Sequence, residues 1–260
     1  MHPRPRKRFG QHFLTDRHYL RRIVEAIAPR AGEAMLEIGP GTGLLTAELA
    51  TIVRPLHVVE IDRDLAAELR RGFLPDEVVV HEGDALEFDL ATLPAPLRVV
   101  GNLPYNVSTP ILFRIEEQAE RIRDCTFLLQ KEVVERMVAS PATPAYGRLS
   151  VMLQSRFAMA DVLEVPPGAF TPPPKVDSAV VHMRPLGSER PRARDEALFR
   201  SIVAAAFSQR RKTLRNAARA IVPPPAYAVA GIDPGRRGET LSVVEFVALA
   251  DATRAAGSPD

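Results

Sequence analysis

The stretch Met35-Leu36-Glu37-Ile38-Gly39-Pro40-Gly41-Thr42-Gly43 decides how this chain is read. Residues 35–38 suit a short buried strand, and glycines follow where such a strand must turn sharply and let a ligand approach the backbone. Residues 44–50 then have helical character, so the unit is strand, glycine loop, helix. The spacing is G-x-G-x-G, whereas a pyrophosphate-binding turn wants G-x-G-x-x-G, and here position 44 is Leu and position 40 is Pro. Glu37 puts negative charge just ahead of the loop, which disfavours a phosphate and favours an ammonium group.

Outward from this unit the alternation continues. Strands are expected at 57–61, 78–81, 98–101 and 126–130, and helices at 64–71, 111–118 and 131–139. Ser108, Thr109 and Pro110 form a good start signal for the 111–118 helix. Ahead of the loop, Tyr19, Leu20, Ile23, Val24 and Ile27 share one face of a helix over 17–28. Such alternation predicts a parallel sheet with helices on both faces. After Pro141 the pattern changes. Residues 149–159 and 162–165 read as extended and 176–184 as a Val-rich strand, suggesting an antiparallel edge hairpin. From Arg194 onward only helices are expected, at 195–207, 210–221 and 242–255. The expected class is α/β: a Rossmann-like domain over 1–186 with a basic arm at 1–8, then a small all-helical domain over 187–260. No internal repeat is found.

Composition sets the outer bounds. The chain has 260 residues, enough to bury a sizeable core, with 46% hydrophobic and 25% charged residues, which excludes a wholly disordered chain. One cysteine excludes a disulfide framework and a Cys-based zinc cluster and suits a reducing compartment, so a cytoplasmic location is expected. No apolar run reaches the roughly 18–20 residues of a membrane span, and the basic start MHPRPRKR lacks the apolar segment of a secretory signal. The net charge of +2 conceals a partition: +6 over residues 1–22, −9 over 23–183, +7 over 184–220 and −2 over 221–260. Two basic blocks flank an acidic body, as expected of a protein that holds a polyanion beside a site of different character.

Three acids fall at the carboxyl ends of successive expected strands. Glu60 closes the second, where a carboxylate can accept from both ribose hydroxyls, and Asp84 follows the third in Gly83-Asp84-Ala85, a place suited to an adenine amino group. With Glu37 they suggest a nucleoside pocket for a ligand with an adenosine, a cationic end and no phosphate, which describes S-adenosylmethionine and neither NAD nor ATP. The fourth strand ends in Asn102-Leu103-Pro104-Tyr105. Asn102 offers an amide oxygen to an exocyclic amine, Pro104 stiffens the turn, and Tyr105 offers a face to a base. The six histidines are scattered with no ligand-like spacing, so no metal is expected.

With these residues quoted, a resemblance is plain. Phe9-Gly10-Gln11-His12-Phe13-Leu14, Glu37 to Gly43, Val59-Glu60-Ile61-Asp62, Gly83-Asp84-Ala85, Asn102-Leu103-Pro104-Tyr105-Asn106 and Phe170-Thr171-Pro172-Pro173-Pro174-Lys175-Val176-Asp177-Ser178 occur in order. Together they closely resemble the small-subunit rRNA adenine N6-dimethyltransferases of the KsgA type, from about Arg8 to the last helix. The resemblance implies a seven-stranded class I methyltransferase domain followed by a small helical domain. It implies cofactor contacts at His12, Leu14, Gly39, Glu60, Asp84 and Asn102, to which Gly41 is added from the loop itself; His12 stands where many relatives have Asn. The implied substrate is two neighbouring adenosines in the 3′-terminal hairpin loop of 16S rRNA, within a pre-30S particle, each dimethylated on N6.

On this reading Asn102 and the Leu103 carbonyl accept the two N6 hydrogens, while Tyr105 and Phe170 stack on a flipped base. RNA is assigned to the arm, with Arg4, Arg6, Lys7 and Arg8, and to Arg210, Arg211, Lys212, Arg215 and Arg219, whose spacing would place much of that charge on one helix face. A monomer is expected. Two alternatives stay open at this point: a large-subunit rRNA adenine methyltransferase of the macrolide-resistance type, and a non-catalytic ribosome-assembly factor; a third, a small-molecule methyltransferase, leaves the two basic blocks unexplained.

Overall fold

The structure, a computed structural model, describes residues 11–209 and 211–257. Its elements, in chain order, begin with β1 (Phe13–Leu14), α1 (Arg17–Ile27), β2 (Ala34–Ile38), α2 (Leu44–Leu49), β3 (Leu56–Glu60), α3 (Arg63–Gly72) and β4 (Val78–Glu82). There follow β5 (Leu97–Asn102), α4 (Ser108–Glu117), β6 (Ile122–Gln130), α5 (Lys131–Val138), α6 (Arg148–Gln154), β7 (Phe157–Val165), β8 (Phe170–Thr171) and β9 (Ser178–Pro185). The remainder is helical: α7 (Glu196–Ser208), α8 (Leu214–Ala217), α9 (Pro224–Val229) and α10 (Val243–Gly257).

Seven strands form one sheet in the order β4-β3-β2-β5-β6-β9-β7. Pairings among β4, β3, β2, β5 and β6 are parallel, and β9 runs antiparallel to β6. The order reverses at β2, so the strands' carboxyl ends open a crevice between β2 and β5. Both faces of the central strands are covered. Met35, Val58, Val100, Leu128 and Val180 lie in a core with Leu20, Ile23 and Ile27 of α1, while their neighbours Leu36, Val59, Val99, Phe127 and Val181 are also buried. That double burial is why these strands read as nearly continuous apolar runs. A separate two-stranded ribbon pairs β1 with β8.

The buried charges include one cation among the described residues. Arg98 on β5, 5% exposed, is held by Asp124 at 2.9 Å, by Glu33 at 2.7 Å and by the carbonyls of Ile27 and Ala28. Each of the three guanidinium nitrogens thus donates to an oxygen, the condition under which a buried cation is tolerated.

The described residues divide into two compact units: those up to Val134 with Ala158–Pro185, and Glu135–Phe157 with those from Leu186 onward. A single cut after residue 186 therefore leaves out an excursion, because residues 135–157 belong with the helical unit. There the sequence expectation of extended chain at 149–159 is corrected in its first part, while residues 157–159 do open β7. Residues 148–154 form α6, in which the Ser150 hydroxyl accepts from the Gly147 N–H at 3.0 Å and donates to the Arg136 carbonyl. A short run such as Leu149-Ser150-Val151-Met152-Leu153 fits helix or strand equally by periodicity, and burial of all five side chains decides it. The expected helix over 210–221 is likewise corrected to the single turn α8. The Leu214 and Arg215 amides donate to the Arg236 and Pro234 carbonyls, at 2.7 and 3.1 Å, instead of to a preceding helical turn. Pro224 starts α9, its fixed φ and missing N–H suiting a first helical position.

Candidate active site

The turn after β2 depends on glycine at two places. Gly41 has φ +59°, and a Cβ there would lie 2.9 Å from the Phe13 ring. On the facing strand, a Cβ at Gly101 would lie 2.3 Å from the Ile38 carbonyl oxygen, so only glycine lets β5 approach the end of β2 this closely. These small residues leave an open cleft of about 1070 Å³, mouth included, walled by residues 11–14, the glycine loop and the ends of β3, β4 and β5.

Among the residues singled out in the sequence, His12, Leu14, Gly39, Gly41, Glu60, Asp84, Asn102, Leu103, Pro104 and Tyr105 all line this cleft. Glu60, 4% exposed, accepts from the Asp62 N–H at 2.9 Å through Oε1 and from the Gly41 N–H at 3.1 Å through Oε2. Burial raises its pKa, while the two amides oppose that rise by stabilising the carboxylate. The second lone pair of each oxygen is the chemistry that a pair of vicinal hydroxyls would use. Asp84 is half-buried, and its carboxylate caps the following turn by accepting from the Leu86 N–H at 2.9 Å. Two carboxylates at the ends of adjacent strands make this wall a hydrogen-bond acceptor.

The opposite wall is the turn 102–105. The Asn102 Nδ2 donates to the His12 carbonyl at 2.9 Å, which fixes the amide and makes Oδ1 its acceptor end. Leu103 is fully buried and its N–H donates to the Leu128 carbonyl on β6. The Tyr105 ring stacks on His12, centroids 5.3 Å apart, and its hydroxyl lies 2.6 Å from the Ser178 hydroxyl. Burial holds the Tyr105 phenol above its usual pKa, so it stays protonated near neutrality. His12 is a hub: besides these two contacts, its Nδ1 lies 2.8 Å from the Pro172 carbonyl.

Two expectations are corrected. Phe170, expected to stack on a base, is 3% exposed and packs with Leu14, Leu20 and Val165 in the core, because its place in β8 opposite Leu14 turns it inward. Glu37, expected beside a cationic ligand, is 1% exposed behind the loop, with the Thr46 hydroxyl donating to it at 2.7 Å. Burial, with Glu60 adding repulsion, raises its pKa to about 7 against the opposing Thr46 bond. Two residues were missed: Phe13, whose ring lines the cleft against Gly41, and Ser178 behind Tyr105. Both belong to quoted motifs, but only pairing across more than a hundred residues, as in Phe13 with Thr171, reveals which aromatic faces inward.

The basic residues divide. Arg4, Arg6, Lys7, Arg8 and Arg210 lie outside the described residues. Arg211, Lys212, Arg215 and Arg219 are exposed in the helical unit, around α8 and not along one helix face. Among the described residues no group of three or more His, Cys, Asp or Glu could hold a metal ion, and no helix is long and apolar enough to cross a membrane.

The chain is similar to known proteins. The family model described as ribosomal RNA adenine dimethylase matches residues 3–253. A ribosomal RNA small subunit methyltransferase A of Aromatoleum aromaticum is 58% identical over 246 residues, 95% of this chain and 93% of that one. The protein of the same name from Thiobacillus denitrificans is 57% identical, over 94% and 96% of the two chains. Among solved structures, a dimethyladenosine transferase of Plasmodium falciparum is similar at a TM-score of 0.76 and 24% identity, covering 92% of this chain and 96% of that one. The 23S rRNA methyltransferase ErmE follows at 0.68 and 29%, covering 93% and 99%.

Proposed function

The chain belongs to the ribosomal RNA adenine dimethylase family, and on that premise we propose that it methylates N6 of two adjacent adenosines in the 3′-terminal hairpin loop of 16S rRNA. It is an S-adenosylmethionine-dependent rRNA methyltransferase; the finer reading adds that it works as a cytoplasmic monomer on a pre-30S particle without a metal. When bound, S-adenosylmethionine supplies an electrophilic methyl group on a sulfonium. The acceptors of the cleft fit it: Glu60 would take the ribose hydroxyls and Asp84 the adenine amine, and Gly39 and Gly41 would let the backbone come close. Leu14, Phe13 and Ile61 supply apolar wall.

The observation that carries the reading is the fixed amide of Asn102. Its Nδ2 is committed to the His12 carbonyl, so Oδ1 is presented as an acceptor. An exocyclic adenine amine has two hydrogens and a lone pair delocalised into the ring. Accepting those hydrogens on Asn102 Oδ1 and the Leu103 carbonyl draws the nitrogen toward tetrahedral geometry and aims its lone pair across the cleft. Tyr105 presents the ring face not covered by His12 to the flipped base. No strong general base is needed, because the proton becomes acidic once the methyl arrives. Arg211, Lys212, Arg215 and Arg219 would hold the phosphate backbone, together with the basic residues 4–8 and Arg210.

The small-subunit assignment rests on relatives of that name at 57–58% identity, against 29% for the 23S enzyme. The experiment is mass spectrometry of 16S rRNA fragments after incubating 30S particles from a methylation-deficient strain with this protein and labelled cofactor. Label on both adenosines of the loop is expected. Label elsewhere in 16S rRNA, or none, sinks the reading. Asn102→Ala should fold and bind RNA yet lose about a hundredfold or more in turnover, of the order seen when one preorganised polar contact is removed; near-normal turnover removes Asn102 from its role.

A further inference from the structure

The turn that presents Asn102 and Leu103 is tied locally and to β6: the Leu103 N–H donates to the Leu128 carbonyl at 3.1 Å, the Val107 N–H to the Pro104 carbonyl at 3.1 Å, and the Ser108 hydroxyl to the Tyr105 carbonyl at 3.3 Å. None of these three bonds reaches β9. The side chain of Tyr105 spans the gap. Its hydroxyl lies 2.6 Å from the Ser178 hydroxyl, 73 residues away. Ser178 is fully buried as the first residue of β9, and its Cα pairs with Gln130 of β6. β6 in turn pairs with β5, the strand from which the turn departs, with Asn102 opposite Leu128. Ser178 is therefore a fixed point of the sheet, and Tyr105 is the strut between that point and the turn.

We infer that Ser178 is a positioning residue for methyl transfer, which through the Tyr105 hydroxyl fixes the ring and, with it, the Asn102–Leu103 acceptors. This rests on the reading of the cleft as the site where an adenine N6 is methylated. Ser178 touches neither substrate nor cofactor, since it is absent from the cleft wall. Its hydroxyl can donate to or accept from the phenol, and the phenol, protonated near neutrality, can do the same, so the pair satisfies itself in either direction. Removing either hydroxyl lets the ring rotate off the His12 face. The cost appears in the geometry of the reacting amine rather than in the carboxylate wall formed by Glu60 and Asp84.

The test compares Ser178→Ala, Tyr105→Phe and the double variant with the wild-type protein. Turnover is followed on undermethylated 30S particles, cofactor affinity by calorimetry, and exchange of the amides of residues 103–107 by mass spectrometry. Each single variant should lose about tenfold in kcat, matching the removal of one buried hydrogen bond, with cofactor Kd within about threefold. The double variant should lose no more than the worse single, because both act through one bond. Amide exchange at residues 103–107 should quicken about tenfold in all three. Unchanged kcat in Tyr105→Phe overturns the inference, as do multiplicative losses in the double variant or a collapse of cofactor affinity. Should Ser178→Ala fail to fold, Tyr105→Phe, altered at a half-buried side chain, decides the matter alone. If the wild type transfers no methyl group, the functional reading fails separately, and amide exchange still judges the strut.

Discussion

Glu37 offers a quantitative test of how the glycine loop is supported. Its carboxyl is 1% exposed, bonded to the Thr46 hydroxyl at 2.7 Å, and its pKa is raised from 4.5 to about 7, chiefly by burial. In the unfolded chain the same group titrates near 4.3. A carboxyl with a raised folded pKa contributes stability that is fully present below the unfolded value and lost as pH rises through the folded value. The window therefore runs from about pH 4.5 to about pH 7, and at about 1.4 kcal/mol per unit the loss across it is about 3 kcal/mol. Glu37→Gln keeps an oxygen to accept from Thr46 and removes the titration. Denaturant unfolding of both proteins at pH 4.5 and pH 8 isolates the term, because the groups other than its neighbour Glu60 keep their surroundings in the two. The variant should gain about 2–3 kcal/mol on the wild type between the two pH values. Parallel pH profiles would refute the reasoning and show that the acid stays ionised at little cost.

Three further outcomes are expected. Glu60→Gln replaces one carboxylate oxygen with an amide donor facing the Gly41 or Asp62 N–H, so S-adenosylmethionine affinity by calorimetry should fall about 10–100-fold, with kcat at saturating cofactor changed little; unchanged affinity would take Glu60 out of the pocket. Gly101→Ala puts a methyl group 2.3 Å from the Ile38 carbonyl oxygen, a backbone atom with no rotamer to yield, and should cost about 3 kcal/mol in chemical denaturation. Replacing Arg211, Lys212 and Arg215 together by Ala should reduce the slope of log affinity for 16S rRNA against log salt by about 1 for each phosphate no longer neutralised; an unchanged slope places the RNA elsewhere.

How far the sequence could be read depended on the range of the forces involved. The strand, glycine loop and helix at 34–49, and the alternation through β6, were legible because burial on both faces of a parallel sheet leaves apolar runs that no partner need be known to recognise. The acceptor residues Glu60, Asp84 and Asn102 were legible for a related reason. They close or directly follow strands, and in a sheet of this topology the carboxyl ends of strands converge on one crevice. Residues 148–154 and 210–221 were misread where local preference is nearly balanced. Helix α6 is chosen by burial of its apolar side chains, and α8 is cut short by pairing of its first amides with residues 234–236.

The sequence by itself thus determined the fold class, the family and the chemical types on the cleft wall, since each is written in residues close together along the chain or in motifs that recur whole. Which side chain faces which way was decided only by tertiary structure. Phe13 lines the cleft and Phe170 the core because β1 pairs with β8 in one register, where a shift of one residue would exchange inner and outer faces. Glu37 lies behind the loop and Glu60 beside the cleft although both sit at or near the ends of neighbouring strands. Tyr105 meets Ser178 because β9 lies against β6, and no pattern within reach of either residue encodes that meeting. Periodicity records whether a residue is buried; only the register between strands records against what.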